Sequence, residues 1–159
     1  RDLVDQSLAE FHHQAQEFQL LLVNQVAPDL PGVVMDQGKI LRVVNNLIDN
    51  ALRYTQTSSS VTVRVRADEE RQLALLEVED NGPGIAPAER THVFDRFYRA
   101  AGTRSFPGSG LGLAIVKQFA DIHGAQTLVG ASGTGGAMVG LDLSPAAAWG
   151  DAVHAVGTE

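Results

Sequence analysis

The chain has 159 residues, a formal net charge of −7 and 44% hydrophobic residues, the size and balance of one globular domain. It contains no cysteine, which excludes disulfides, thiolate metal sites and cysteine nucleophiles, and its acidic balance argues against a general nucleic-acid binder. No run of 18 apolar residues and no signal-peptide pattern occurs, and the start at Arg1-Asp2 without a methionine predicts a piece of something longer.

In chain order, "LVDQSLAEFHHQAQ" places Leu3, Leu8, Phe11 and Ala15 near one helical face. Phe18, Leu20 and Leu22 alternate in "FQLLLVN", which predicts a strand, and "APDLPG" predicts a turn before a short edge strand at "VVM". Asp36 is the expected N-cap of a well-defined helix, "QGKILRVVNNLIDNALRYT". Its apolar stripe is Ile40, Val44, Leu47, Ile48 and Ala51, widened by Leu41 and Leu52; Asn46, Asn50 and Arg53 share a second face.

Next come an alternating strand "VTVRVRA", a charged turn "ADEERQ" and a partner strand "LALLEVED". Leu76, Val78 and Asp80 fall on one face by the period of two, so Asp80 continues a core-facing row to the strand end. A carboxylate in that place needs a partner. Residues 86–110 read as a long loop with one helical turn around "AERTHVF", and a connection of that length usually has a job. "GLGLAIVKQFADIHG" resumes helix, with Leu113, Val116 and Ala120 on one side and Ile115, Phe119 and Ile122 on another. "TLVGA" and "AMVGLDL" form a hairpin around "SGTGG", and the residues after 143 have little pattern beyond an Ala-rich turn. The order predicts an α+β fold of two layers, helices against one mostly antiparallel sheet.

Three segments are rich in glycine: "DNGPGI", "GSGLGL" and "GTGG". None is a Walker A loop, and "GSGLG" has neither the spacing nor the preceding strand of a dinucleotide fingerprint. The glycines of "GSGLGLAIVKQ" open directly into a helix, where exposed N–H groups at Gly110, Leu111 and Gly112 suit phosphate oxygens. On the long helix, the Asn50 amide oxygen suits magnesium, Arg53 suits phosphate charge, and Tyr54 offers a flat apolar body with a polar tip. Taken singly, each has a bland alternative: a turn, a glycine-rich helix start, a solvated helix face.

As an ordered set, "NNLIDNALRYT", "DNGPGI", "VFDRFYR", "GSGLGLAIVKQ" and "GTGG" resemble the N, G1, F, G2 and G3 boxes of the ATP-binding catalytic domain of sensor histidine kinases. The wider family includes gyrase B, Hsp90 and MutL. The resemblance covers about residues 3–143 of a single domain, with 144–159 as a tail, and implies the Bergerat type of α/β sandwich: a mixed, mostly antiparallel sheet against about three helices. It implies Mg-ATP as ligand. Asp80 accepts from the adenine amine, Gly82 and Gly84 admit the base, and Ile85 supplies an apolar wall. Asn50 is the implied magnesium ligand; Asn46, Arg53 and Tyr54 lie on the phosphate side. Residues 86–110 correspond to a mobile lid anchored by Phe94 and Phe97, with Arg99 reaching the terminal phosphate and "TRSFPG" poorly ordered without nucleotide. Gly108, Gly110, Leu111, Gly112 and Leu113 cradle the phosphates.

The implied reaction is transfer of the γ-phosphoryl group to a histidine in a dimerisation region outside these residues. Asparagine stands at Asn46 where ATP-hydrolysing relatives carry a glutamate that activates water, which favours transfer over hydrolysis. The expected setting is a cytoplasmic domain, monomeric alone. In its full-length form the protein is expected to be homodimeric, anchored in the bacterial plasma membrane and coupled to a response regulator. Three departures stand out. Arg53 replaces a common lysine, Gly136 stands where a threonine is usual, and "EFHHQAQEF" lacks the phosphoacceptor pattern. His12 and His13, like His92, His123 and His154, therefore read as ordinary residues. The competing readings are an anti-sigma-type protein serine kinase and an ATP-sensing interaction domain without transfer.

Overall fold

The computed structural model describes residues 1–55, 58–100 and 108–149. Helix α1 (Asp2–Glu17) leads into strand β1 (Leu21–Val26), a two-residue strand β2 (Val33–Val34) and helix α2 (Gln37–Tyr54). Strands β3 (Ser60–Asp68) and β4 (Leu73–Asp80) form a hairpin, then helix α3 (Gly112–His123) precedes the hairpin of β5 (Gln126–Ala131) and β6 (Ala137–Asp142). A final short strand, β7, covers Ala148–Trp149. The main sheet runs β1-β3-β4-β6-β5, with β1 parallel to β3 and the other pairs antiparallel. This is the expected α+β architecture.

Helix α2 forms because its apolar positions recur at helical spacing and its start is capped: the Asp36 carboxylate accepts from the Lys39 N–H at 3.0 Å. Val43, Val44, Leu47, Ile48, Ala51 and Leu52 are buried against the sheet. Fully buried Leu47 and Ile48 each contribute about 1.5–3 kcal/mol of transfer free energy. The register sets Val61 opposite Asp80, Val63 opposite Val78 and Val65 opposite Leu76, so one sheet face is apolar along both strands up to the carboxylate at the end of β4. Helix α2 packs on β3, β4 and β6, with α1 beside β1 and α3 beside β5.

Helix α1 is joined to α2 by polar contacts as well. Ser7, fully buried, donates from its hydroxyl to the Asn45 amide oxygen, and the Asn45 amide donates to Glu10 at 2.7 Å. Each polar group taken from water there keeps a partner.

Four local expectations are corrected. The helix continues through Glu17, so Phe18 lies outside any strand and is 48% exposed; Gln19 turns the chain at φ +55°, and β1 starts only at Leu21. Ile122 is exposed on α3, whose buried residues are Val116, Phe119 and Ala120. Within 86–100 the helical turn is a 3-10 turn at Pro87–Glu89. Finally, part of the tail is structured: Ser144–Ala146 forms a 3-10 turn, and β7 pairs antiparallel with β2 outside the main sheet. Most of "TRSFPG" lies outside the described residues.

Candidate functional site

A cleft of about 370 Å³ opens between the C-terminal half of α2, the end of β4 and the start of α3. Helix α2 contributes Asn46, Asp49, Asn50, Arg53 and Tyr54, the face opposite its buried stripe. Asp80 stands at the inner end, followed by Gly84 and Ile85. The other wall runs through Tyr98 and Arg99 and then Gly108 to Leu113. Every residue assigned in the sequence to base, phosphate or magnesium lines this cleft except Gly82, where a Cβ would fall 2.6 Å from the Tyr54 carbonyl oxygen; the lid anchors Phe94 and Phe97 do not line it.

Asp80 is 6% exposed. Its Oδ1 accepts from two backbone amides, Gly82 at 2.8 Å and Ala137 at 3.0 Å. Burial raises its carboxyl above the ordinary value of 3.8, and the two amide donors partly offset that rise. Among the described residues no group donates to Oδ2. A buried carboxylate oxygen without a donor, at the end of a cleft, calls for a donor from a ligand.

The same corner explains Gly136. A Cβ at that position would fall 2.0 Å from the Asp80 carbonyl oxygen, so a threonine does not fit with this backbone. Close passage of Gly136 over Asp80 is also what brings the Ala137 amide to the carboxylate.

At the other end, α3 begins at Gly112 with Leu111 as N-cap and no side-chain cap. Its first N–H groups therefore have no capping side chain, and the helix dipole adds positive potential. Gly110 has φ +70°, and a Cβ on it would lie 2.9 Å from Phe97 Cα and Tyr98 O. The Phe97 N–H donates to the Gly110 carbonyl at 3.0 Å, tying the two ends of the loop. Phe94 is buried as an anchor should be, but Phe97 is 69% exposed, so its backbone rather than its ring holds the loop base.

Arg53 pairs with Asp49 one turn earlier, Nε to Oδ2 at 2.8 Å, and its Nη1 lies 3.0 Å from where a Cβ on Gly108 would be. The guanidinium therefore stands beside the loop that enters α3. Asn46 donates from its amide to the Arg42 carbonyl at 2.7 Å, leaving Oδ1 toward Gly112. Asn50 faces the cleft, and its amide makes no hydrogen bond among the described residues. No group of three or more His, Cys, Asp or Glu side chains that could cage a metal occurs among the described residues. The donor set fits a hard cation held by one amide oxygen together with ligand oxygens and water.

Sequence reasoning missed Asp49, Tyr98, Ala137 and Ile115 as parts of the cleft. Asp49 was available from its spacing of four before Arg53. The Ala137 amide was not, because only the β4–β6 pairing brings it there.

Residues 35–146 match the family model described as "Histidine kinase-, DNA gyrase B-, and HSP90-like ATPase". The chain is 45% identical over 96 residues to the sensor histidine kinase WalK of Bacillus subtilis, covering 59% of this chain and 16% of that protein. It is 40% identical over 128 residues to the signal transduction histidine-protein kinase/phosphatase MprB of Mycobacterium sp. strain KMS, covering 80% and 24%. Its fold matches a solved mycobacterial sensor histidine kinase MprB with a TM-score of 0.76 and 36% identity, covering 88% of this chain and 91% of that one. It also matches full-length ShkA in complex with AMPPNP, TM-score 0.80 and 27% identity, covering 94% and 30%. The chain thus spans about a quarter or less of these curated relatives.

Proposed function

Because the chain belongs to the histidine kinase-, DNA gyrase B- and HSP90-like ATPase family, we propose that it binds Mg-ATP in the cleft and donates the γ-phosphoryl group to a histidine in the dimerisation region of a sensor kinase, outside this sequence. The observation that carries this reading is the buried Asp80 carboxylate, with one oxygen held by two amides and the other without a donor among the described residues.

Adenine fits that end because its exocyclic amine is a donor, whereas guanine presents a carbonyl oxygen that the carboxylate repels. Ile85 packs on the base. The triphosphate runs toward α3, where the N–H groups at Gly110 to Gly112 and the Arg53 guanidinium meet its oxygens. Asn50 would hold magnesium, which when bound neutralises charge on the phosphate oxygens. Arg99, on the cleft wall, adds positive charge near the terminal phosphate. In the transfer, the imidazole nitrogen lone pair of the acceptor forms a P–N bond while the bond from the γ-phosphorus to the bridging oxygen breaks. That electron pair leaves with ADP, and the imidazole N–H proton passes to solvent water. Asn46 cannot take it as a base at neutral pH. His12 and His13 lie on α1, near Gln16 and Glu17 respectively, and neither lines the cleft.

The same reading makes the isolated chain monomeric. In its full-length form it makes a homodimer through the phosphoacceptor region, anchored in the plasma membrane with this domain in the cytoplasm and passing phosphate to a response regulator. Among the described residues no helix is long and apolar enough to cross a membrane.

The test mixes this chain with a separately produced dimerisation-and-histidine region and γ-labelled ATP. Acid-labile phosphohistidine is expected. Tight ATP binding by folded protein without transfer would leave an ATP-sensing domain, and an acid-stable phosphoserine would point to the anti-sigma-type serine kinase.

A further inference from the structure

Ser132 lies just after β5, in the turn to β6, and is 7% exposed. Its hydroxyl hydrogen goes to the Asp80 carbonyl oxygen at 2.8 Å, and its oxygen accepts from the Gly136 N–H at 2.9 Å. A hydroxyl has one proton, so the contact with Thr134 Oγ1 at 3.0 Å must be donated by threonine. The Ser132 N–H donates in turn to the Gly136 carbonyl at 2.9 Å. One side chain therefore fastens the end of β4 to the start of β6, at the point where Gly136 crosses the Asp80 backbone too closely for any Cβ.

The consequence is a position for the carboxylate. Oδ1 of Asp80 is held by the Gly82 amide, two residues along its own chain, and by the Ala137 amide, from the neighbouring strand. The first bond is local to the turn. The second exists only while β6 keeps its place over β4, and Ser132 ties the two together next to it. With both bonds made, Oδ1 is occupied and Oδ2 is the oxygen presented to a ligand.

We infer that Ser132 is a positioning residue for purine selection: by clamping the Asp80 carbonyl and the Gly136 amide it orients the Asp80 carboxylate toward an amine donor. The inference rests on the proposed nucleotide reading and extends it to a residue that does not line the cleft. A serine that only tied the hairpin would affect stability without changing the preference between purines.

The experiment titrates ATP and GTP, each with magnesium, into the parent chain, Ser132→Ala and Ser132→Thr, with thermal unfolding of each free protein as the folding control. The parent is expected to favour ATP. In folded Ser132→Ala the ATP affinity falls about 3- to 10-fold, the effect of one lost hydrogen bond, while GTP changes less, so the ATP:GTP ratio drops. Ser132→Thr, which keeps the hydroxyl, restores the ratio. Should Ser132→Ala not fold, Ser132→Cys, with similar size and a weak donor, carries the same comparison. An unchanged ATP:GTP ratio in a folded variant without the hydroxyl overturns the inference alone, as does a folded Ser132→Thr that fails to restore it. A parent that binds no ATP overturns the nucleotide reading and this inference with it.

Discussion

Two side chains carry most of what can be tested in this cleft. For Asp80, burial raises the carboxyl of the free protein above the unfolded value of 3.8. The sign follows: the native state resists ionisation, so stability is highest below the unfolded value and is lost as pH rises through the folded one. A ligand amine does the opposite, since it needs the ionised acceptor. ATP affinity should therefore fall as pH is lowered through the raised pKa, beginning above the range of an ordinary carboxylate. Asp49, Arg53 and Arg99 line the same cleft, and the nucleotide titrates too, so the comparison is with Asp80→Asn. That variant should lack the Asp80 share of the acid limb and bind ATP about 1–3 kcal/mol more weakly, because its amide turns a donor toward the adenine amine. Calorimetry across pH checks both, and an identical acid limb in the two proteins would remove Asp80 from the adenine role. Asn50 faces the cleft from a helix whose stability lies in the opposite stripe. Asn50→Ala should thus abolish most of the magnesium dependence of ATP binding while leaving thermal unfolding of the free domain nearly unchanged. Equal magnesium dependence in variant and parent refutes the assignment.

Helices α2 and α3 divide the work between them. Helix α2 has one face in the core and one in the cleft, and its periodicity made both legible: Leu47 and Ile48 bury, Asn46, Asn50 and Arg53 face out. Helix α3 contributes its N-terminus, and that end depends on Gly110, whose φ of +70° and approach to Phe97 and Tyr98 leave no room for Cβ. Gly110→Ala should shift the segment 108–112 and weaken ATP binding, with the left-handed conformation alone costing about 1–2 kcal/mol. Adenosine, which lacks phosphates and relies on the β4 end, should bind nearly as before. Titration with both ligands separates the two ends of the cleft; parallel losses would mean that the α3 end has no phosphate role of its own. The loop before α3 is where local pattern failed. Two phenylalanines three apart looked equivalent, yet only Phe94 packs inward, because Phe97 takes φ +63° and sends its ring to solvent.

At the scale of the molecule, the sheet explains why residues 46, 80, 110 and 137 meet. The order β1-β3-β4-β6-β5 puts β4 in the centre, so its last residue lies under α2 and beside β6. The tail adds a second, smaller closure: β7 pairs with β2, Ser144 accepts the Ala74 N–H on its hydroxyl at 3.0 Å, and the Leu143 N–H donates to the Ala74 carbonyl at 2.7 Å. Residues that looked patternless after 143 thus cover the far end of β4.

By itself, the sequence determined the helices with strong apolar stripes, the alternating β3–β4 hairpin, the core-facing row that ends at Asp80, and the order of the glycine-bearing boxes. All of these are local, set by period and by residue type within a few positions. Tertiary structure alone decided which groups satisfy Asp80, why Gly136 cannot carry a side chain, and where a two-residue strand such as β7 finds its partner. These are contacts between segments far apart in sequence: Ala137 lies 57 residues from Asp80, and Ser132 lies 52. They are made by backbone amides and carbonyls, which every residue type carries alike, so no spacing in the sequence could announce them.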